Sequence, residues 1–239
     1  MEGIPPSLEA RLRANLDSVR GRIDRALDAS GRRADSARLV AVTKAVDAQT
    51  IRGLLALGQL ELGESRPESL EKKVATLGIE AEGARWHLIG HYQRRKIRDT
   101  LGLVTCVHSV HSSQLLAALH GRAAELDRRL DILLQVNVSG EPEKQGFSPA
   151  ELPRALEIAE RCSTLSVQGL MTMAPAGLPS ADLRRVFSGL RDLRDLRATR
   201  ETPLQELSMG MSGDFEEAVL EGATLVRVGS ALYEGLPRG

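Results

Sequence analysis

Lys44 closes the apolar run Leu39-Val40-Ala41-Val42-Thr43, and both its type and its place suggest chemistry. Only five of the 32 cationic side chains are lysines: Lys44, Lys72, Lys73, Lys96 and Lys144. A guanidinium stays charged, whereas a partly buried amine can shed its proton and attack a carbonyl. The plainer reading of a strand-end lysine is a stem laid over apolar surface with its ammonium in water. Arg227 lies inside the apolar run Thr224-Leu225-Val226-Arg227-Val228, where a charge needs acceptors. Glu61 or Glu64 would serve, or else a ligand atom. Two segments, Ser208-Met209-Gly210-Met211-Ser212-Gly213-Asp214 and Arg227-Val228-Gly229-Ser230, set a hydroxyl residue beside a glycine where a helix opens. Backbone N–H groups at such turns attract an anion, and glycine lets it approach. Ordinary N-capping by Ser212 and Ser230 would use the same residues.

These residues need strands to carry them. Apolar, non-alternating runs recur at about 38–43, 60–64, 85–89, 103–107, 131–137, 166–171, 205–209 and 225–229. Such runs suit parallel strands covered on both faces. Helical patterns lie between them, as at 114–129 and 149–162. Eight alternations predict an α/β fold, a single-domain (β/α)8 TIM-type barrel over 1–239. A doubly wound sheet would more often show a Gly-rich turn after its first strand, and Thr43-Lys44-Ala45-Val46 is not one. An additional N-terminal helix is predicted from the stripe Leu8, Leu12, Leu16, Val19, Ile23 and Leu27, capped by Ser7, ended by Gly31 and packed outside the barrel. The 183–200 segment is amphipathic, its arginines a solvated face.

Barrels bind ligands at the C-terminal ends of their strands and phosphate at the loops after strands seven and eight. Strands one and eight are neighbours in a closed ring, so Lys44, Arg227 and the two glycine–serine turns would share one mouth. That set suits a flat aldehyde bearing a phosphate. Pyridoxal phosphate has those features: its aldehyde would form an imine with Lys44, and Arg227 would donate to the ring nitrogen. A barrel aldolase would also use a Schiff-base lysine.

Composition narrows the function classes. Zero formal net charge argues against a general nucleic-acid binder, and 3% aromatics disfavours base stacking. No membrane span or signal peptide is read, and Cys106 and Cys162 read as buried thiols, so the expectation is a cytoplasmic protein. His87 and His91 are four apart, but Gly90 breaks the helical geometry a metal pair would need; His108 and His111 are read with no cysteine or acid nearby, and no metal is expected.

The chain resembles the pyridoxal phosphate homeostasis protein family, relatives of the N-terminal barrel of bacterial alanine racemase. The match is carried by 39–44, Gly63-Glu64, Trp86-His87-Leu88-Ile89-Gly90-His91-Tyr92-Gln93, Val136-Asn137 with Glu141, Lys144 and Gly146, Gly169-Leu170-Met171-Thr172-Met173, Leu207-Ser208-Met209-Gly210-Met211-Ser212 and Val226-Arg227-Val228-Gly229-Ser230. The resemblance implies pyridoxal 5'-phosphate as a Schiff base on Lys44, Arg227 at the ring nitrogen, and Ser212, Gly229 and Ser230 at the phosphate. Met211, Asn137, His87 and Ser65 complete the candidate set. Two departures stand out: Ser65 where the family usually has Asn, and Arg94-Arg95 where it usually has Ser-Asn. The function implied is cofactor homeostasis without strong turnover. An amino-acid racemase is the rival; it would add a tyrosine from a second domain, and the chain offers only Tyr92 and Tyr233. A pure interaction scaffold is a third class. The expected partners are the cofactor and pyridoxal phosphate-dependent enzymes, with a monomeric protein.

Overall fold

Strand residues alternate between two sides, and in this chain both sides are buried. Leu39 and Ala41 pack with the helix-facing core, whereas Val40 packs with Cys106, Leu133, Met171 and Leu225 in a separate inner cluster. A closed sheet under a coat of helices provides two such interiors. The computed structural model describes residues 5–141 and 143–236. Its strands are β1 (Arg38–Val42), β2 (Glu61–Glu64), β3 (Arg85–Leu88), β4 (Cys106–Val110), β5 (Leu130–Gln135), β6 (Leu165–Met171), β7 (Glu206–Ser208) and β8 (Leu225–Val228). They form a parallel barrel closed in chain order, with β1 against β8 so that Val40 lies beside Arg227. The predicted architecture is the one observed.

The helices are α1 (Pro6–Ala29), α2 (Ala48–Ala56), α3 (Pro67–Leu77), α4 (Arg94–Thr100), α5 (Ser113–Glu125), α6 (Leu152–Glu160), α7 (Ser180–Arg197) and α8 (Phe215–Leu220). Among the described residues, β8 is followed by a 3-10 turn, Ser230–Tyr233. The predicted apolar stripe of α1 is buried from Leu12 to Leu27 and packs on α8, α2 and that turn. The N-terminal helix thereby covers the outside of the barrel between α8 and α2. No helix among the described residues is long and apolar enough to cross a membrane.

Several boundaries differ from expectation. β4 begins at Cys106, not at 103, because 101–103 form a 3-10 turn that finishes α4. The strand instead runs on through the polar His108 and Ser109, both buried and hydrogen-bonded. α5 stops at Glu125, with Asp127 at φ 48, and α6 spans only 152–160. Pro5, not Ser7, is the N-cap of α1, with Pro6 opening the helix; Gly31, at φ 66, follows its end as expected. Asp214, not Ser212, stands at the N-cap of α8.

Candidate functional site

A cavity of about 630 Å³ opens where the strands end and the βα loops begin. Lys44, Ser65, Met211, Ser212, Arg227, Gly229 and Ser230 all line it. The inward side of β1 carries Val40 and Val42, and Lys44, in the turn two residues past the strand's end, lines the mouth.

The backbone around Lys44 is clamped from behind. The fully buried Glu64 receives the Lys73 ammonium on Oε2 at 2.6 Å and the Ser65 N–H on Oε1 at 2.8 Å. Lys73 also donates to the Thr43 carbonyl at 2.6 Å, and the Thr43 N–H donates to the Gly63 carbonyl at 2.8 Å. This clasp joins the ends of β1 and β2 through α3 and fixes the residue before Lys44. Gly90 closes the next seam: a Cβ there would lie 2.3 Å from the Ser65 carbonyl oxygen, so no side chain fits.

Arg227 points inward and is 3% exposed. Its Nη1 donates to Ser208 Oγ at 2.5 Å and its Nη2 to the Thr172 carbonyl at 2.9 Å. Both partners are neutral. Neither Glu61 nor Glu64 is its ion-pair partner among the described residues: Glu61 binds at the opposite end of the barrel and Glu64 is taken by Lys73. Burial pushes the guanidinium down to about 10, opposed by the more distant charge of Asp214. The Asp214 carboxyl is raised by burial, against the pull of the Met211 N–H and of Arg227.

The two glycine–hydroxyl turns meet at the cavity wall. Ser212 Oγ accepts from the Gly229 N–H at 3.1 Å, so this serine ties the β7 and β8 loops together. Gly210, at φ 90, lets the β7 loop press on α8, where a Cβ would come within 2.6 Å of the Ala218 methyl. Its carbonyl accepts from the Arg227 N–H at 3.0 Å.

Two residues of the expected set do not line the cavity. Asn137 organises the loop after β5: its Nδ2 donates to the Glu141 carbonyl and its Oδ1 accepts from the Gly140 N–H. That loop brings Lys144 and Gln145 to the mouth, and Lys144 pairs with Glu141. His87 lies deeper, between His108 and Glu61. Cys106 is beside the two histidines, contrary to the sequence expectation for His108; donor atoms of the three lie within 4.8 Å of one another. The facing histidine nitrogens are already joined by a hydrogen bond, and burial raises the thiol well above its ordinary value, so the cluster is closed within itself. Arg94 and Arg95 are outside the cavity lining; Arg95 donates to Gln93.

Sequence reasoning passed over Lys73, Ser208 and His108. A signal existed for each: Lys73 is one of the five rare lysines, and Ser208 and His108 sit on strands in step with inward neighbours. The partner of each was beyond reach.

The chain can be set beside known proteins. The family model for the alanine racemase N-terminal domain matches residues 11–237. A pyridoxal phosphate homeostasis protein of Deinococcus radiodurans is 43% identical over 205 residues, 85% of this chain and 92% of the relative. A crystal structure of an unknown protein from Bifidobacterium adolescentis, 34% identical, superposes with a TM-score of 0.91 over 98% of both chains. PipY of Synechococcus elongatus, solved with PLP bound, is 34% identical, with a TM-score of 0.76 over 88% of this chain and 99% of its own.

Proposed function

Because this chain belongs to the pyridoxal phosphate homeostasis protein family, we propose that it holds pyridoxal 5'-phosphate at the barrel mouth as a Schiff base on Lys44 and serves to balance the free cofactor. One observation carries the assignment: an amine on a clamped stretch of backbone, a buried guanidinium with only neutral partners, and the Ser212–Gly229–Ser230 turns all face one cavity of suitable size. Lys44 would hold the cofactor by condensing its amine with the aldehyde, with loss of water. The phosphate sits at Ser212 and Ser230, against the loops after β7 and β8. Arg227 donates to the ring nitrogen. The full chain acts as one cofactor-binding barrel, Met211 and Ser65 flank the ligand, and Asn137 and His87 support it from outside the cavity wall.

A cationic donor at the ring nitrogen disfavours its protonation, because a second positive charge nearby is unfavourable. The ring is then a poorer electron sink, which suits storage over turnover. Racemisation needs a second acid/base group opposite the lysine. Neither tyrosine lines the cavity: the Tyr92 hydroxyl is buried against Thr100 Oγ1 at 2.8 Å and pushed up to about 12 by that burial, and Tyr233 lies in the 3-10 turn. The reading includes a monomer in the cytoplasm, where Cys106 and Cys162, both buried and free, stay reduced, and transfer of cofactor to dependent enzymes.

Pyridoxal phosphate added to the purified protein should give a yellow band that borohydride bleaches, with the label mapping to the Lys44 peptide. A label at another lysine, or none, overturns the assignment. Fast Lys44-dependent racemisation of a common amino acid would overturn the storage role.

A further inference from the structure

A hydrogen-bonded chain runs the length of the barrel interior beneath the cavity. Arg227 Nη1 donates to Ser208 Oγ at 2.5 Å; Ser208 Oγ lies 2.8 Å from His108 Nδ1. His108 Nε2 lies 2.8 Å from His87 Nδ1, and His87 Nε2 lies 2.5 Å from Glu61 Oε2. The five residues come from β8, β7, β4, β3 and β2. Barrel interiors are normally filled by aliphatic side chains, so a polar column here is a departure that needs a reason. Nothing in the binding chemistry touches Ser208, His108, His87 or Glu61 directly.

The column has a direction. Arginine can only donate and an ionised carboxylate can only accept. Burial holds the His108 imidazole well below its ordinary value, so it carries a single N–H. If that proton sat on Nδ1, Ser208 would accept from both His108 and Arg227, and its own hydroxyl proton would face no acceptor among the described contacts. With the proton on Nε2, each of Ser208, His108 and His87 donates once and accepts once along the column: Arg227 to Ser208, Ser208 to His108, His108 to His87, His87 to Glu61. Ser208 is then a committed acceptor for Arg227. Together with the Thr172 carbonyl on Nη2, it anchors one edge of the guanidinium and leaves the remaining N–H groups for the cavity.

We propose that Ser208, His108, His87 and Glu61 are positioning residues that hold Arg227 as a fixed donor toward the heteroaromatic nitrogen of the ligand. The proposal rests on the reading that Arg227 meets that nitrogen. The chain explains how a buried cation is kept in one orientation without a carboxylate beside it, which would compete with the ligand for its N–H groups.

The test compares dissociation constants for pyridoxal phosphate and for its 1-deaza analogue, which keeps the aldehyde and phosphate but puts carbon in place of the ring nitrogen. The wild-type chain should prefer the natural compound by on the order of tenfold or more, the usual scale of a charged hydrogen bond. Ser208→Ala and His108→Leu should shrink that preference toward unity while both ligands still bind. His108→Asn, whose amide oxygen can still accept from Ser208, should keep most of it. Should His108→Leu not fold, Ser208→Ala against His108→Asn decides. A wild type without any preference sinks the Arg227 reading and the proposal with it. A preference that persists in Ser208→Ala sinks the positioning chain alone.

Discussion

The two ends of the barrel handle charge in opposite ways. At the base, where strands begin, Arg38 pairs with Glu206 and Glu61, and Arg85 also pairs with Glu61. Burial there pushes the Glu61 carboxyl up, but the hydrogen bond with His87 and the charges of Arg85 and Arg38 outweigh it and leave the group below its ordinary value. At the mouth the balance is reversed. Arg227 is driven down and Asp214 up, each toward its neutral form, with burial the main cause in both. A charge satisfied by its neighbours supports the fold; a charge left with neutral neighbours is available to a ligand. The base is a closed structure and the mouth is an open one, and this difference, more than any single residue, supports the mouth as the proposed ligand's place.

Substitutions at the mouth should fall on binding, and the largest is Lys44→Ala. It should abolish the borohydride-fixed label entirely while leaving the thermal unfolding midpoint close to wild type. A persistent label would break the comparison at once. The buried Glu64–Lys73 pair at the mouth should behave otherwise. Glu64→Ala strands the Lys73 ammonium and should lower stability by about 3 kcal/mol in urea titration, the lower end for a broken buried pair because Lys73 can still reach water. Arg227→Met should weaken pyridoxal phosphate binding by about ten- to a hundredfold in equilibrium titration, matching a lost charged hydrogen bond of about 1.5–3 kcal/mol. An unchanged affinity would mean that Arg227 is structural, like the base.

The smallest effects separate the two ends by sign. Glu61 is depressed in the folded state, so its ionised form adds stability above the ordinary carboxylate range, and that stability is lost as pH falls through the folded value. Glu61→Gln should therefore destabilise by about 1 kcal/mol at neutral pH and much less in acid, where the wild type has lost the same contribution. Asp214 is raised, so its ionisation works against the fold. Asp214→Asn keeps an acceptor for the Met211 N–H and should stabilise slightly at neutral pH, with the gain vanishing below the ordinary aspartate range. Unfolding curves at the two pH values check both; equal signs would erase the contrast.

What could be read along the chain was whatever depends on near neighbours. Apolar runs broken by helical patterns reveal parallel strands, and eight of them reveal a barrel. A lysine two steps beyond inward Val42 reveals an amine at the rim. Glycine next to serine after the last two strands reveals turns at the cavity wall. Helix ends were less legible: Ser7 has the right side chain for a cap, yet the chain turns at Pro5. Ser212, whose plainer reading was an N-cap, likewise does not cap its own helix, and its hydroxyl accepts from the Gly229 N–H 17 residues away.

The sequence by itself determined the fold and the placing of Lys44, Arg227 and the two turns around one mouth, because a strand's two-residue period and a turn's backbone demands are local properties. Tertiary structure alone decided which inward side chains meet. His87 reaches His108 across 21 residues and His108 reaches Ser208 across 100. Those meetings depend on how far each strand is shifted along its neighbour around a closed ring, and a shift of that kind leaves no mark in the order of residues on either strand.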